Sequence, residues 1–101
     1  PPEELRKRTV TISAGQSIPM EQVVSALLAC GYERAAQIDG TGQFSQRGGI
    51  LDIFTPDASN PVRLEYWGDE IDTLSLFDLE TQRRTESIDK LTIAPAVGSV
   101  D

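Results

Sequence analysis

The segment PVRLEYWGDE, residues 61–70, decides how this sequence folds and what it presents to solvent. Successive side chains of a strand point to opposite faces, so the segment predicts one apolar and one polar face. The two sets are Val62, Leu64 and Tyr66, expected to face the core, and Arg63, Glu65 and Trp67, expected to face outward. Arginine and tryptophan are enriched at protein-binding hot spots, which favours a binding surface. The alternative is an ordinary solvent face with a cross-strand ion pair beside a half-buried aromatic ring.

The length and composition predict one soluble globular domain over residues 1–101. Hydrophobic residues make up 39% of the chain and charged residues 25%, which is ordinary for such domains. No apolar run approaches the roughly 20 residues that span a bilayer, and the polar N-terminus does not resemble a signal peptide. Because the chain lacks an initiator methionine, we expect it to be a fragment of a longer multidomain protein. The lone Cys30 suits a reducing compartment, which predicts a cytoplasmic protein.

The charge and residue inventory argue against nucleic-acid binding and against catalysis. A net charge of -7 repels a phosphate backbone, and the nine basic residues are scattered. The chain has no histidine and one cysteine, so the common general base and the usual zinc ligands are missing. Residues 40–42, Gly-Thr-Gly, are interpreted as a turn because no lysine follows a glycine as a phosphate loop requires. We therefore expect no catalytic residue, cofactor or metal, and no membrane association.

An amphipathic helix is predicted over about residues 19–30. Apolar residues recur there at the spacing of one helical face: Met20, Val23, Val24, Leu27 and Leu28. Ser17 or a neighbour is expected to cap this helix, with Pro19 in its first turn. Gly31 is expected to end it in the left-handed conformation.

The rest of the chain predicts strands and turns, giving an α+β domain with a mostly antiparallel sheet and this one helix. The predicted strands cover residues 9–13, 34–38, 43–46, 50–54, 62–67 and 70–77, and two short strands are predicted around residues 82–83 and 91–93. Residues 50–54 are expected to be buried on both faces. Gly68-Asp69 predicts the tight turn of a hairpin.

Asp52 is unusual because it lies inside the apolar strand 50–54. A buried carboxylate must be paired or hydrogen-bonded, and an arginine is its natural partner. Arg47 and Arg63 are both candidates, and whichever pairs with Asp52 would be drawn away from a binding surface. Gly48 and Gly49, which follow Arg47, would allow a bulge or a sharp bend that redirects its side chain.

Taken together, several motifs resemble the UvrB-homology module of the bacterial transcription-repair coupling factor. They are Gly31-Tyr32-Glu33-Arg34, Phe44, residues 47–54 (RGGILDIF), residues 61–71 (PVRLEYWGDEI), Phe77-Asp78 and Thr81-Gln82-Arg83. The resemblance covers nearly the whole chain. A similar domain occurs in UvrB itself, but the glycine pair at 48–49 and the stretch 81–83 favour the coupling factor. The sequence departs from the usual pattern at Thr55, where proline is common, and at Tyr66-Trp67, where two phenylalanines are common.

The resemblance implies a non-catalytic module that binds UvrA, a subunit of nucleotide excision repair, in transcription-coupled DNA repair. The family's contact positions fall on Arg47, Arg63 and Trp67, with Glu65 at a position that the UvrB version also uses. The parent protein would be an ATP-dependent DNA translocase, whose C-terminal domain would mask the same surface. Two alternatives follow: a structural or autoinhibitory docking domain within that parent, or the equivalent UvrA-binding domain of UvrB.

Overall fold

The computed structural model describes residues 10–95 of the chain. Within that range the chain forms one helix and eight strands. The helix α1 is Met20–Ala29, and the strands are β1 Val10–Ser13, β2 Glu33–Arg34, β3 Gln43–Arg47, β4 Ile50–Phe54, β5 Val62–Trp67, β6 Glu70–Phe77, β7 Arg84–Ile88 and β8 Lys90–Ile93. Thr9, with which the first predicted strand begins, lies outside the described residues.

The strands form a six-stranded sheet in the order β2-β3-β4-β5-β6-β7 and a two-stranded sheet of β1 and β8. The pair β2–β3 is parallel and every other pair is antiparallel. The fold is broadly the α+β class that the sequence predicts. The large sheet is mixed, however, and the helix has only ten residues.

The core lies against one face of the six-stranded sheet, which we call the inner face. Alternate residues of β3 to β6 supply Phe44, Leu51, Ile53, Val62, Leu64 and Leu74, each no more than 2% exposed. The helix covers them with Val23, Val24 and Leu27, and the small sheet adds Ile12, Leu91 and Ile93. Because strand side chains alternate, the residues between these positions project from the opposite, outer face.

The ends of α1 follow one sequence prediction and contradict another. Gly31 has φ +93°, and the Tyr32 N–H donates to the Leu27 carbonyl at 3.0 Å, which is the Schellman ending expected of a glycine there. Capping by Ser17 is wrong: the helix starts after Pro19 without a side-chain cap. Ser17 instead pairs with Glu70 in an isolated β-bridge, which ties the segment before the helix to β6.

Two predicted strands are shorter or displaced in the structure because side chains bind the backbone groups that strand pairing would use. The strand predicted over 34–38 is reduced to Glu33–Arg34, since the Ser45 hydroxyl donates to the Ala36 carbonyl and the Asp39 N–H donates to the Gln43 side chain. The strand predicted around 82–83 begins later, as β7 at Arg84, because residues 82–83 belong to the preceding turn: Gln82 has φ +64°, and the Arg83 N–H donates to the Thr81 hydroxyl at 3.2 Å. Asp78 accepts from the N–H groups of residues 80 and 81 in that turn.

Both central hairpins turn at the same end of the sheet. Gly48-Gly49 joins β3 to β4, and Gly68-Asp69 joins β5 to β6. Since β4 begins where β5 ends, the Tyr66 N–H donates to the Gly49 carbonyl at 2.8 Å and brings the two turns together. The predicted tight turn at 68–69 is confirmed. Among residues 10–95, no helix has the length and apolar character needed to cross a membrane.

Candidate protein-binding site

The outer face is organised in two rows of side chains that cross four strands. Strand register places Ser45, Asp52, Arg63 and Ser75 side by side in one row. It places Arg47, Ile50, Glu65 and Thr73 in the next row, nearer the hairpin turns. The first row is buried except for the partly buried Arg63, whereas in the second row Arg47 and Ile50 are exposed and Glu65 and Thr73 are partly buried. The four sequence-predicted site residues are therefore divided between two different environments.

Arg63 is held by side chains of the protein itself. Its Nε donates to Asp52 Oδ1 at 2.8 Å and its Nη2 donates to Asp52 Oδ2 at 3.0 Å, a bidentate pair. The guanidinium lies 4.4 Å from the centroid of the Phe77 ring, and Nη2 also reaches Gln82 Oε1 at 3.4 Å. The side chains of Arg63 and Asp52 are only 14% and 7% exposed.

This geometry decides between the two arginines that the sequence left open as partners of Asp52. The partner is Arg63, and the hydrogen bonds that its guanidinium donates to Asp52 raise the pKa of that guanidinium, although burial opposes the shift. Register explains the choice, because Asp52 and Arg63 are directly opposite on neighbouring strands. Arg47 lies one row away from Asp52 and does not pair with it.

Arg47 is an exposed cation at the end of β3. It forms no ion pair with any other residue in the range 10–95. Gly48 has φ +56° and permits the two-residue turn that starts immediately after it. The glycines therefore make a tight hairpin, and Arg47 stays in register opposite Ile50 on the outer face.

Glu65 occupies the same row and is already paired. Its Oε2 lies 3.6 Å from Nη1 of Arg84, and the two side chains are 34% and 56% exposed. A pair this open to solvent is worth about 0–1 kcal/mol, so a binding partner can replace it at little cost. The charges of Glu65 and Arg84 thus balance each other, but this weak ion pair does not hold the Glu65 side chain in one position.

Trp67 is the most exposed large apolar residue described, at 81%. It follows Glu65 by two positions on β5, which puts it on the outer face beside the hairpin turn. The register between β5 and β6 shifts at Glu65 and Tyr66, and the extra residue, Asp72, belongs to β6. The alternation of β5 is therefore undisturbed, and Trp67 and Arg47 lie on the same side of the sheet.

The structure thus brings together a surface that we call the hairpin-end surface: Arg47, Ile50, Glu65 and Trp67. Arg63 lies on the same face but is engaged one row away. Strand 50–54 is buried on both faces over residues 51–54, as predicted, but its first residue, Ile50, departs from that expectation and is 36% exposed. Alternation with Asp52 could have placed Ile50 outward. No comparable signal pointed to Arg84.

The inner side of the same sheet end holds a shallow pocket of about 260 Å³. It is lined by Met20, Glu21, Gln46, Tyr66 and the two hairpin turns. The Tyr66 hydroxyl is buried there without a hydrogen-bond partner among residues 10–95. Burial, together with the nearby Asp69, raises the pKa of Tyr66 to about 12, so the phenol stays neutral near neutral pH. The described residues hold no group of three or more metal-ligating side chains.

The inner face of the sheet is buried, and an arginine and a tryptophan are exposed at one end of the outer face. Exposed residues of these two types are typical of a protein-interaction domain. Comparison with known families agrees with that class. The UvrB interaction domain family matches residues 10–98. The chain belongs to this family, as its motifs indicate.

The names of curated relatives show in which protein a similar domain occurs. Transcription-repair-coupling factors are 42% identical over 84 residues in Mycobacterium tuberculosis strain CDC 1551 and 38% identical over 97 residues in Bacillus subtilis. These alignments cover 83% and 95% of this chain. The chain spans only 7% and 8% of the length of those proteins. It is therefore a UvrB interaction domain of the type found in transcription-repair-coupling factors, as the resemblance implies.

Proposed function

We propose that this chain is a non-catalytic module that recruits UvrA in transcription-coupled DNA repair. The observation that carries the proposal is the joint exposure of Arg47 and Trp67 on one face of a UvrB interaction domain. The family description names an interaction, and the relatives are named for coupling transcription to repair. Recruitment of UvrA follows from the resemblance of residues 47–54 and 61–71 to that module.

The hairpin-end surface has the chemistry that a protein interface requires. A tryptophan brings a large apolar area with few rotatable bonds, and its indole N–H supplies a donor. Arg47, which forms no ion pair within residues 10–95, offers a planar fork of donors for a carboxylate of the partner. Residues of these two types account for many interface hot spots, where truncation costs about 2 kcal/mol or more.

Arg63 and Glu65 contribute to the same proposed site in different ways. Nη1 of Arg63 has no hydrogen-bond partner among residues 10–95, so it remains available to UvrA while Asp52 holds the other nitrogens. Glu65 can exchange Arg84 for a donor of the partner. The proposed contact set is therefore Arg47, Arg63, Glu65 and Trp67, with Arg47 and Trp67 the strongest contributors.

Binding to purified UvrA tests the proposal by isothermal titration calorimetry. We expect Arg47→Glu and Trp67→Ala each to weaken binding about 30-fold or more, since each removes a hot-spot side chain. Lys90→Glu is the matched control for charge reversal, because Lys90 is an exposed cation on β8 in the other sheet. Leu28→Ala is the control for Trp67→Ala, because Leu28 is 51% exposed on the helix. Unchanged affinity in both site variants would refute the assignment.

A second role for the same surface is docking within a longer parent protein. It is favoured by the small share of the relatives' length that this chain spans, 7–8%, which leaves other domains to cover the surface. Titrating the chain with the C-terminal domain of such a parent, with and without UvrA, separates the two roles. Competition between the two ligands shows a shared surface, while binding of that domain alone favours docking within the parent.

We also propose that the module acts in the cytoplasm as one domain of a longer protein and does not itself bind DNA or membranes. The net charge of -7 supports the statement on DNA, because it opposes association with phosphates. A gel-shift titration with duplex DNA at low salt tests this directly. A shift that fades with added salt would contradict it.

A further inference from the structure

Ile50 is an apolar side chain in an unexpectedly open position. It is the first residue of β4 and is 36% exposed, whereas Phe54 and Phe77 on the same face are 8% and 1% exposed. Those two aromatic rings are covered by the protein, and Arg63 lies over Phe77. Ile50 is less covered, although it belongs to the same strand as Phe54.

The neighbours of Ile50 are the residues already proposed to bind UvrA. Strand register places it directly between Arg47 on β3 and Glu65 on β5. Trp67 follows Glu65 by two positions, so Ile50 and Trp67 are diagonal neighbours, which lie about 7–8 Å apart on a sheet face. Ile50 and Trp67 therefore form one apolar strip bordered by the Arg47 charge.

The charged side chains around this strip determine which chemical groups of a partner would bind favourably beside it. Asp52 pairs with Arg63 and Glu65 with Arg84, while the exposed Glu70, opposite Trp67, carries a negative charge at that end of the strip. At the Ile50 end, Arg47 has no ion-pair partner among residues 10–95 and contributes a positive charge. This positive charge sits on a chain of net charge -7. It favours a carboxylate next to an apolar side chain and disfavours a basic group.

We propose that Ile50 is a further binding residue of the hairpin-end surface, covered on binding by an apolar side chain of UvrA that lies next to a carboxylate. This inference rests on the proposed function and adds a residue to it. Burial of Ile50 would link the Arg47 contact to the Trp67 contact and exclude water between them.

Calorimetry with UvrA at several temperatures tests the inference with two variants of this chain. Ile50→Thr removes apolar atoms but keeps a β-branched residue in the strand. We expect it to weaken binding about tenfold and to make the heat-capacity change of binding less negative, since less apolar surface is buried. Leu28→Ala, which removes apolar atoms from a more exposed site, should change neither quantity.

Each outcome decides something different. If Ile50→Thr binds within twofold of the unsubstituted chain while Trp67→Ala binds weakly, the inference is wrong and the proposed function stands. If Leu28→Ala weakens binding as much as Ile50→Thr, the apolar contact is not specific to this strip and the inference is also wrong. If the unsubstituted chain does not bind UvrA, both proposals fail together.

Discussion

The two faces of the six-stranded sheet are built from alternate residues of the same strands, yet their side chains differ in burial. On the inner face Leu64 is fully buried within the core cluster. One residue along on β5, Glu65 is only partly buried and pairs with a solvent-exposed arginine. Two residues further, Trp67 is 81% exposed. A single strand therefore supplies core residues and part of the proposed binding surface, and substitutions on the two faces should have separable effects on stability and binding.

The largest expected effect comes from the inner face. Leu64→Ala removes buried methyl groups from the centre of the core and should lower the free energy of unfolding by about 3–4 kcal/mol. Urea denaturation followed by far-UV circular dichroism measures it. Trp67→Ala, on the outer face of the same strand, should change that free energy by less than about 0.5 kcal/mol. Comparable losses in the two variants would mean that both faces are part of the core.

The next effect tests whether the outer face is uniform. Asp52→Asn removes the charge that holds Arg63 and should cost about 2 kcal/mol of stability, less than a fully buried pair because Arg63 retains some exposure. Arg84→Gln is the control, since it removes the exposed partner of Glu65 and should cost less than about 0.5 kcal/mol. The same denaturation experiment compares them. Equal losses of unfolding free energy in the two variants would show that the ion pairs of the two rows stabilise the fold equally.

A smaller effect concerns the turn that positions Arg47. Gly48 has φ +56°, in the left-handed region, and Gly48→Ala should cost about 1 kcal/mol in thermal or urea unfolding. Gly49→Ala is the matched control, because its φ lies outside that region and a Cβ there would meet the Tyr66 carbonyl at an ordinary 3.5 Å. If the two variants lose equal stability, the cost comes from packing and not from backbone conformation.

The smallest effect lies on the inner side of the hairpin turns, at Tyr66. Its buried hydroxyl has no hydrogen-bond partner among the described residues, so Tyr66→Phe should raise the free energy of unfolding by about 0.5 kcal/mol near neutral pH. The pKa of Tyr66 is raised from 10.0 to about 12 in the folded chain. Folding therefore favours the protonated phenol.

The pH dependence of stability provides a second measurement on the same variant. The contribution of Tyr66 is fully present below pH 10.0 and is lost as the pH rises toward about 12, because the unfolded chain releases this proton first. Tyr66→Phe should make the alkaline loss of stability shallower. Tyr32, whose pKa is also raised by burial, should account for part of the remaining slope. Identical alkaline profiles would show that Tyr66 does not titrate differently in the folded state.

Sequence periodicity predicted those parts of the fold that depend on local pattern. The apolar stripe of α1 and the alternation of β5 are each contained within one element, so 3.6-residue and two-residue periods identify them. The strand predicted over 34–38 failed because Ser45, nine residues further along, binds the Ala36 carbonyl. Ser17 failed as a cap because β6 provides it with a backbone partner. Both errors arise from contacts between separate elements.

The candidate site divides in the same way. Alternation placed Glu65 and Trp67 outward, since that inference needs only the strand that contains them. The choice of Arg63 over Arg47 as the partner of Asp52 depends on the register between β4 and β5, which no single segment reveals. Ile50 was missed because a five-residue segment with four apolar residues resembles a buried strand, although its first residue lies at the edge of a turn.

The position of Trp67 also determines what the tryptophan fluorescence of this protein can report. It is the only tryptophan in the chain, and its indole is already in water in the folded state. Its emission should therefore shift little on unfolding and cannot serve as a measure of the core. A partner that covers the indole would shift the emission to shorter wavelength, so the residue proposed to bind UvrA is also a built-in optical reporter of that binding.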